Sequence, residues 1–404
     1  MSEPTFVLGG FQTDFARHLA REGADLAALV GEAVAGALDD AGVDAGEVGV
    51  VHVGNAFGEL FAGQAQLGAM PATAVPALWG VASSRHEAAC ASGGVALLAA
   101  MADLEAGRYD CALVVGVEQE RNVPGEVAAR HLGTAAWAGH EGEGARYLWP
   151  HMFSRVAEAY DARHGLKREH LVAFSLHAFA RARLNPLAQT RGWRFDARSF
   201  EEDDALNPVV EGALRRQDCA QVTDGAAAVV LATGAFLRGR SHRRRRAARV
   251  AGWGHRAAGL GLDEKLRRAA GSEHLFPHLR AAVTDAYRRA GVADASKVDV
   301  FELHDCFSIT GLTLVEHLGV TAPGEAWRAV EDGRLAKVNP GGGLIGGGHP
   351  VGATGVRMVL DAARQVTGAA GPTQVEGARV AATINLGGSA TTAVAFVVAQ
   401  EGLA

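Results

Sequence analysis

Ala41-Gly42-Val43, followed by Val48-Gly49-Val50, is answered roughly 250 residues later by Ala290-Gly291-Val292, followed by Val298-Asp299-Val300. An amphipathic stretch precedes each glycine. Leu26, Leu29, Val30, Ala33, Val34, Ala37 and Leu38 recur at three- and four-residue spacing, which puts them on one face of a helix over 24–41. Leu279, Ala282, Val283, Ala286 and Ala290 repeat that pattern before the second glycine. Glycine at the end of such a face accepts the left-handed backbone of a helix C-terminus. A strand follows in both places, at 48–53 and 298–303. One repeated tripeptide would mean nothing, but an ordered series of matching elements predicts a duplicated α/β unit.

Further out, 5–9, 111–117 and 226–231 read as strands of the first unit. Residues 249–254 and 392–398 read as strands of the second. Strands alternating with helices predict a mostly parallel sheet covered on both faces. Between 119 and 205 the rhythm breaks. Trp, His and Arg become frequent there, and helices are expected at 150–164, 168–183 and 199–205, as an insertion packed on the α/β layer. The strongest charge run is RGRSHRRRR at 238–246. It reads as a nucleic-acid or phosphate patch, or as a solvated linker. Its place between the two units, with no interleaved aromatics, favours a basic linker at 238–248. The expected division is therefore 1–118 with 206–237 as the N-terminal half, 119–205 as the insertion and 249–404 as the C-terminal half.

The 404 residues are 48% hydrophobic and 21% charged, enough for a large core and against disorder. A net charge of −6 gives no reason to expect nucleic acid as a partner. The four cysteines, Cys90, Cys111, Cys219 and Cys306, are widely spaced, which fits a reducing compartment rather than a disulfide framework. MSEPTFVLGG lacks the features of a signal peptide, and no apolar run is long enough to span a membrane. The expected place is the cytoplasm.

Four stretches are too polar or too rich in glycine for their surroundings, and each falls where a strand ends or a helix begins. In open α/β sheets that is where functional groups gather. The first is His86-Glu87-Ala88-Ala89-Cys90-Ala91-Ser92-Gly93-Gly94, with Val95, Leu98, Ala99 and Met101 expected as the packed face of the helix that follows. Cys90 reads as a small core residue or as a nucleophile. A helix N-terminus favours the thiolate that would attack a carbonyl carbon. The second stretch is Glu302-Leu303-His304-Asp305-Cys306-Phe307-Ser308. His304 and Cys306 are two apart, so on extended backbone they point the same way, suited to proton transfer and oxyanion stabilisation. The third runs from Asn339-Pro340 through a glycine loop to His349-Pro350. His349 reads as a helix-start residue or as the base for Cys90. The loop lacks a phosphate-binding pattern, and its glycines suggest close approach of backbone to a thin acyl or pantetheine-like ligand. The fourth is Asn385-Leu386-Gly387-Gly388-Ser389-Ala390. No further ligands stand at useful spacing for a metal. Cys111 and Cys219 lie beside apolar strands and read as core.

These residues together resemble the thiolase superfamily, in particular the sterol-carrier-protein-X-type thiolases and their bacterial and archaeal relatives. The likeness rests on Cys90-Ala91-Ser92-Gly93, His304-Asp305-Cys306-Phe307, Asn339-Pro340 with Gly348-His349-Pro350-Val351-Gly352-Ala353-Thr354-Gly355, and Asp218-Cys219 with Asp224-Gly225. It runs nearly end to end, including 168–186 of the insertion. It implies a thiolase-like α/β fold, two fused βαβαβαββ halves in a layered αβαβα arrangement with an inserted loop domain, commonly dimeric. It also implies acyl exchange on coenzyme A thioesters, as substrates rather than cofactors. Cys90 would be acylated, His349 would activate it, His304 would hold a thioester oxygen and Cys306 would be the second acid/base. The backbone N–H groups of Cys90 and of Gly387 and Gly388 would form the other oxyanion hole. Many thiolases carry a second cysteine before the last strand. Here Gly387-Gly388-Ser389 stands there, so the second thiol falls to Cys306.

The direction, Claisen condensation or thiolytic cleavage, is not written in these motifs. Alternatives are acyl transfer to a non-CoA acceptor in a complex with an OB-fold protein, retro-aldol cleavage, and a non-catalytic acyl-CoA-binding scaffold. The presence of Cys90 argues against the retro-aldol reading. Filled positions throughout argue against the scaffold. A fused sterol-carrier domain is not expected, since the chain ends just after the last strand. Trp137, Trp149, His151, Met152 and Trp193 are candidate walls of the acyl pocket.

Overall fold

The computed structural model describes residues 3–239 and 247–401. Nine of its strands form one sheet: β1 (Thr5–Gln12), β2 (Val50–Gly54), β3 (Ala82–His86), β4 (Cys111–Glu118), β7 (Gly225–Thr233), β8 (Ala248–Ala257), β9 (Val300–Leu303), β10 (Val380–Gly387) and β11 (Thr392–Gln400). The remaining two, β5 (Val209–Glu211) and β6 (Leu214–Arg215), make a separate hairpin. Order in the large sheet is β3-β2-β4-β7-β1-β8-β11-β10-β9. Read outward from the middle, β1-β7-β4-β2 on one side matches β8-β11-β10-β9 on the other, which is the duplication expected from the sequence. Within the sheet, two residue pairs among the described residues, Phe6 with Arg249 and Val7 with Ala248, link β1 to β8 across the two halves. The sheet is mixed rather than mostly parallel. Pairs β2–β3, β2–β4 and β9–β10 are parallel and the others antiparallel, because the last strand of each half inserts against the chain direction.

Helices supply the other layers. Helix Leu26–Ala41 covers the outer face of the first half, with Gly42 in the left-handed conformation at its end (φ +63°). Helix Pro277–Ala290 covers β8 and β11 in the second half and closes on Gly291 (φ +69°). Helices Ser92–Glu105 and Val351–Thr367 lie between the halves and pack on each other. The latter touches β4 and β7 on one side and β10 and β11 on the other. A helix enclosed in this way is buried on nearly every side. Leu360, 1% exposed at its middle, should cost about 2–5 kcal/mol when cut to alanine.

The central helices touch through glycine. A Cβ on Gly93 would lie 2.7 Å from the Gly352 carbonyl oxygen, and one on Gly355 would lie 2.3 Å from the Gly94 nitrogen. Both are inside any real carbon contact. The packed face of helix Ser92–Glu105 is Ala96, Leu97, Ala100, Met101 and Leu104. Val95, Leu98 and Ala99, expected there with Met101, are only half-buried, because the glycine contact fixes the helix's rotation.

Residues 119–205 hold helices Gly125–Gly133, Leu148–His164 and Arg168–Ala182. The helix expected at 199–205 is a single tight turn, Ala197–Phe200, capped by Asp196. Hairpin β5–β6 packs on helix Leu148–His164, where the Ala213 N–H donates to Ser154 Oγ at 2.9 Å, so the large sheet resumes only at Gly225. Strands β3 and β10 had no clear signal. Ala82–His86 is a polar edge strand, and Val380–Gly387 lacks alternation. Most of the basic run, 240–246, lies outside the described residues. Among the described residues no helix is long and apolar enough to cross a membrane.

Candidate active site

Cys90 sits in the turn between β3 and helix Ser92–Glu105. Ala89 just before it has φ +49°, a left-handed conformation that costs an alanine energy and is held by its neighbours. The Ser92 hydroxyl donates to the Ala89 carbonyl (2.6 Å) and accepts from the Ala88 N–H (2.9 Å), closing the turn. The Gly388 N–H and the N–H of Cys90 itself are directed at the Cys90 sulfur. Gly388 is left-handed (φ +62°), which aims its N–H away from the β10–β11 ladder. Gly387 does something else. It pairs with Thr392 in that ladder, and a Cβ there would lie 2.1 Å from the Ala88 carbonyl oxygen. Its lack of a side chain lets β10 reach the cysteine turn.

His304 follows β9, and His349 begins the segment leading into helix Val351–Thr367. Their ring centres are 5.0 Å apart with planes at 87°. One ligand atom from each of Cys90, His304 and His349 lies within 4.8 Å of the others. The hydrogen bonds on their far sides fix the tautomers. Asn385 Nδ2 donates to the Cys90 carbonyl at 3.0 Å, so the amino end of that amide faces this way. It also lies 3.1 Å from His304 Nδ1, which must therefore accept, leaving the His304 proton on Nε2. Thr354 Oγ1 donates to the Pro350 carbonyl (3.1 Å), so it accepts from His349 Nδ1 at 2.7 Å. His349 Nε2 is then a bare lone pair. One imidazole presents N–H and the other presents a base. That pairing suits acid-base work better than metal ligation, which needs lone pairs from both.

Both imidazoles are held neutral. Burial pushes His349 down to about 3 and His304 well below its usual value, with the Arg357 guanidinium adding to both and His349 acting on His304. The thiolate expected from the helix N-terminus is corrected by the structure. Burial pushes the Cys90 thiol up to about 12, and the Glu120 and Glu118 carboxyls beside it act in the same direction, outweighing the two N–H groups. Cys90 rests as a thiol and needs a base. Cys306 is also pushed up by burial, with Cys90 as a neighbour, and its Sγ lies 3.7 Å from Thr310 Oγ1.

Cys90, His304, Cys306, His349 and Gly388 all line one cavity of ≈ 320 Å³. They come from widely separated stretches of the chain, whereas much of the apolar wall (Leu132, Leu148, Trp149, Phe153) comes from the one stretch 132–153. Of the five walls expected, only Trp149 is there. Trp137 stacks on His140 at 4.0 Å, Met152 is core, Trp193 packs beside Phe179 and Phe195, and His151 faces elsewhere. Cys111 is core as expected, while Cys219 is buried but also lines the cavity.

The glycine loop is a second correction. A Cβ on Gly342 would press on Ala182 (2.9 Å), on Gly346 on the Ala178 carbonyl oxygen (2.4 Å), and on Gly343 on Asp305 (2.3 Å). These glycines admit helix Arg168–Ala182 and the Asp305 carboxylate, not a ligand. Asp305 accepts from the Leu344 N–H at 2.7 Å and so ties this loop to the His304–Cys306 stretch. Sequence reasoning missed Asn385, Thr354 and Glu120. Asn385 stood in a quoted stretch, but its role depends on two atoms distant in the chain. Glu120 followed an apolar strand as a charged residue, a signal that went unused.

Two family profiles cover most of the chain: thiolase N-terminal domain over residues 5–235 and thiolase C-terminal domain-like over 267–400. An acetyl-CoA acetyltransferase of Methanothermobacter thermautotrophicus is 32% identical over 379 residues, 91% of this chain and 93% of that protein. Human sterol carrier protein 2 is 29% identical over 400 residues, 95% of this chain and 69% of that protein. Among solved structures, the Ltp2-ChsH2(DUF35) aldolase matches with a TM-score of 0.77 at 19% identity, over 100% of this chain and 99% of that one. Identity that low shows the fold alone.

Proposed function

The chain belongs to the thiolase family, and from that premise we propose that it is an acyl-CoA C-acyltransferase that works through an acyl thioester on Cys90. The observation that carries this reading is the meeting of a thiol, a bare imidazole nitrogen and an imidazole N–H within 4.8 Å. In the condensation direction His349 Nε2 takes the Cys90 proton as the sulfur attacks the acyl-CoA carbonyl. Charge on that oxygen meets the N–H groups of Cys90 and Gly388, donors of the kind worth ~10²–10³ each in rate. The C–S bond to coenzyme A breaks, and the leaving sulfur takes the proton of Cys306. The Cys306 thiolate then removes a proton from the α-carbon of a second acyl-CoA. His304 Nε2–H holds the enolate oxygen. The carbanion attacks the acyl group on Cys90, and the sulfur leaves with the proton stored on His349. Protons balance, and thiolytic cleavage is the same sequence reversed.

The reading takes coenzyme A thioesters as substrates, with no resident cofactor or metal. It places the protein in the cytoplasm, where the free thiols of Cys90, Cys111, Cys219 and Cys306 stay reduced. It includes a homodimer or higher homo-oligomer. The polar strand β3 at the end of the sheet supports this, since its outer edge pairs with nothing among the described residues. The Arg216 guanidinium, exposed beside the cavity, is a candidate for the coenzyme A phosphates. Transfer to a non-CoA acceptor with an OB-fold partner shares the first half of this chemistry and differs only in the second substrate.

The test is intact-mass analysis after exposure to acetyl-CoA. The wild type should gain one acetyl group and Cys90→Ala none. Cys306→Ala should still be acylated but should not complete condensation or thiolysis. Labelling that persists in Cys90→Ala would overturn the assignment.

A further inference from the structure

Two carboxyls meet the start of helix Val351–Thr367, and they are not equivalent. Glu118 accepts from four donors: Asn55 Nδ2 (2.8 Å) and the N–H groups of Phe57 (3.0 Å), Ala56 (3.1 Å) and Gly352 (3.0 Å). Both of its oxygens are occupied, and it is structural. Glu120 accepts through Oε1 from the Val351 N–H at 3.1 Å, with the Thr223 N–H as its other backbone donor. Glu120 is 1% exposed, yet it lines the cavity that holds Cys90. The other polar linings outside the reacting groups and Cys219 are Tyr147, Arg216 and Gln221, and these are half-buried or exposed. Glu120 is thus a buried carboxyl set among the apolar walls of the cavity that holds Cys90.

Two buried carboxylates side by side repel, so one keeps its proton. Glu118 has more donors and is the better seat for charge. Burial and the neighbouring Glu118 push Glu120 well above the ordinary carboxyl range, and as acid or carboxylate its oxygens accept a hydrogen bond. An alkyl chain laid against it would offer nothing to the hydrogen-bonding capacity that the Val351 and Thr223 N–H groups leave over, and a buried polar group without its full set of partners costs binding.

We propose that Glu120 selects the acyl group: this wall fits an acyl-CoA whose chain bears a hydroxyl on the carbons just beyond the thioester, and disfavours the plain saturated chain. The inference rests on the acylation of Cys90 proposed above. No covalent step beyond that one is added. The Glu120 carboxyl accepts a hydrogen bond from the hydroxyl and takes no part in the proton transfers of the cycle.

The experiment compares rates of Cys90 acylation, by intact mass, with butanoyl-CoA and 3-hydroxybutanoyl-CoA. In the wild type the hydroxy substrate should be faster by about tenfold or more. In Glu120→Leu the ratio should fall to one or invert. Glu120→Gln, which keeps a donor and an acceptor at the same place, should retain the preference and covers the case in which the leucine variant does not fold. Equal rates in the wild type, or a preference that survives in Glu120→Leu, would overturn the proposal while leaving Cys90 acylation intact. Wild-type protein that acylates with neither substrate nor acetyl-CoA removes the reading of Cys90, and this inference with it.

Discussion

A single methyl group placed at Gly355 should slow the enzyme without touching a reacting atom. The added carbon would stand 2.3 Å from the Gly94 nitrogen and 2.5 Å from Asn385 Oδ1. Contact at an ordinary ~3.5 Å requires the two central helices to part by about 1 Å. One helix begins just after Cys90 and the other just after His349, so the sulfur and its base separate with them. A misplacement of about 1 Å costs roughly 10²-fold in rate. Overpacking of this kind also costs about 1–3 kcal/mol of stability. The two effects are told apart by a control. Gly252→Ala would put its methyl 2.2 Å from the Ala286 carbonyl oxygen, under the outer helix Pro277–Ala290 and away from the cavity. Both variants should unfold at lower urea, but only Gly355→Ala should lose about 10²-fold in the rate of Cys90 acylation. Gly355→Ala acylating within threefold of wild type, or Gly252→Ala losing rate in proportion to its stability, would refute the claim that helix contact sets the reaction distance.

Two further expectations concern pH. Cys90 is pushed up to about 12 and His349 down to about 3, so the wild-type rate of acylation should be flat between about pH 5 and 9, where thiol and base are both in their working forms. In His349→Ala only thiolate attacks, and the rate should rise about tenfold per pH unit across that range; a flat profile in the variant would remove His349 as the base. Lys265 is buried and donates to the Leu260 carbonyl (2.8 Å), Ser389 Oγ (2.9 Å) and Thr391 Oγ1 (2.8 Å), gripping the turn that carries Gly388. Burial lowers it to about 8, against ~10.4 in an unfolded chain, so between those values the unfolded state binds more protons and stability rises with pH. Urea midpoints should show that rise in wild type and lack it in Lys265→Met.

The duplication was legible because helix periodicity and the glycine at the end of each helix are local signals. Leu26 to Gly42 and Leu279 to Gly291 read the same way in one dimension as in three. Cys90, His304, Cys306 and His349 were found because each stands at a strand–helix junction, and because the resemblance joined them. The protonation of Cys90 was misread. A helix N-terminus is visible in sequence, but the burial of the sulfur and the nearby Glu120 and Glu118 are not. The glycine loop was misread for a similar reason. Close approach was the right inference, and the approaching body was helix Arg168–Ala182, more than 150 residues away in the chain. Trp137, His151, Met152 and Trp193 failed as walls because large size alone does not say which way a side chain on a helix or turn will face.

The wall made by Leu132, Leu148, Trp149 and Phe153 belongs to a different stretch of chain from the groups that react. Variation between 125 and 153 can therefore retune which acyl chains fit while Cys90, His304, Cys306 and His349 keep their geometry. Inheritance of the chemistry and inheritance of the substrate range are separable in such a molecule. Grafting this segment between relatives is the natural route to altered selectivity, with Glu120 at the border the one residue that would have to be chosen to match the graft.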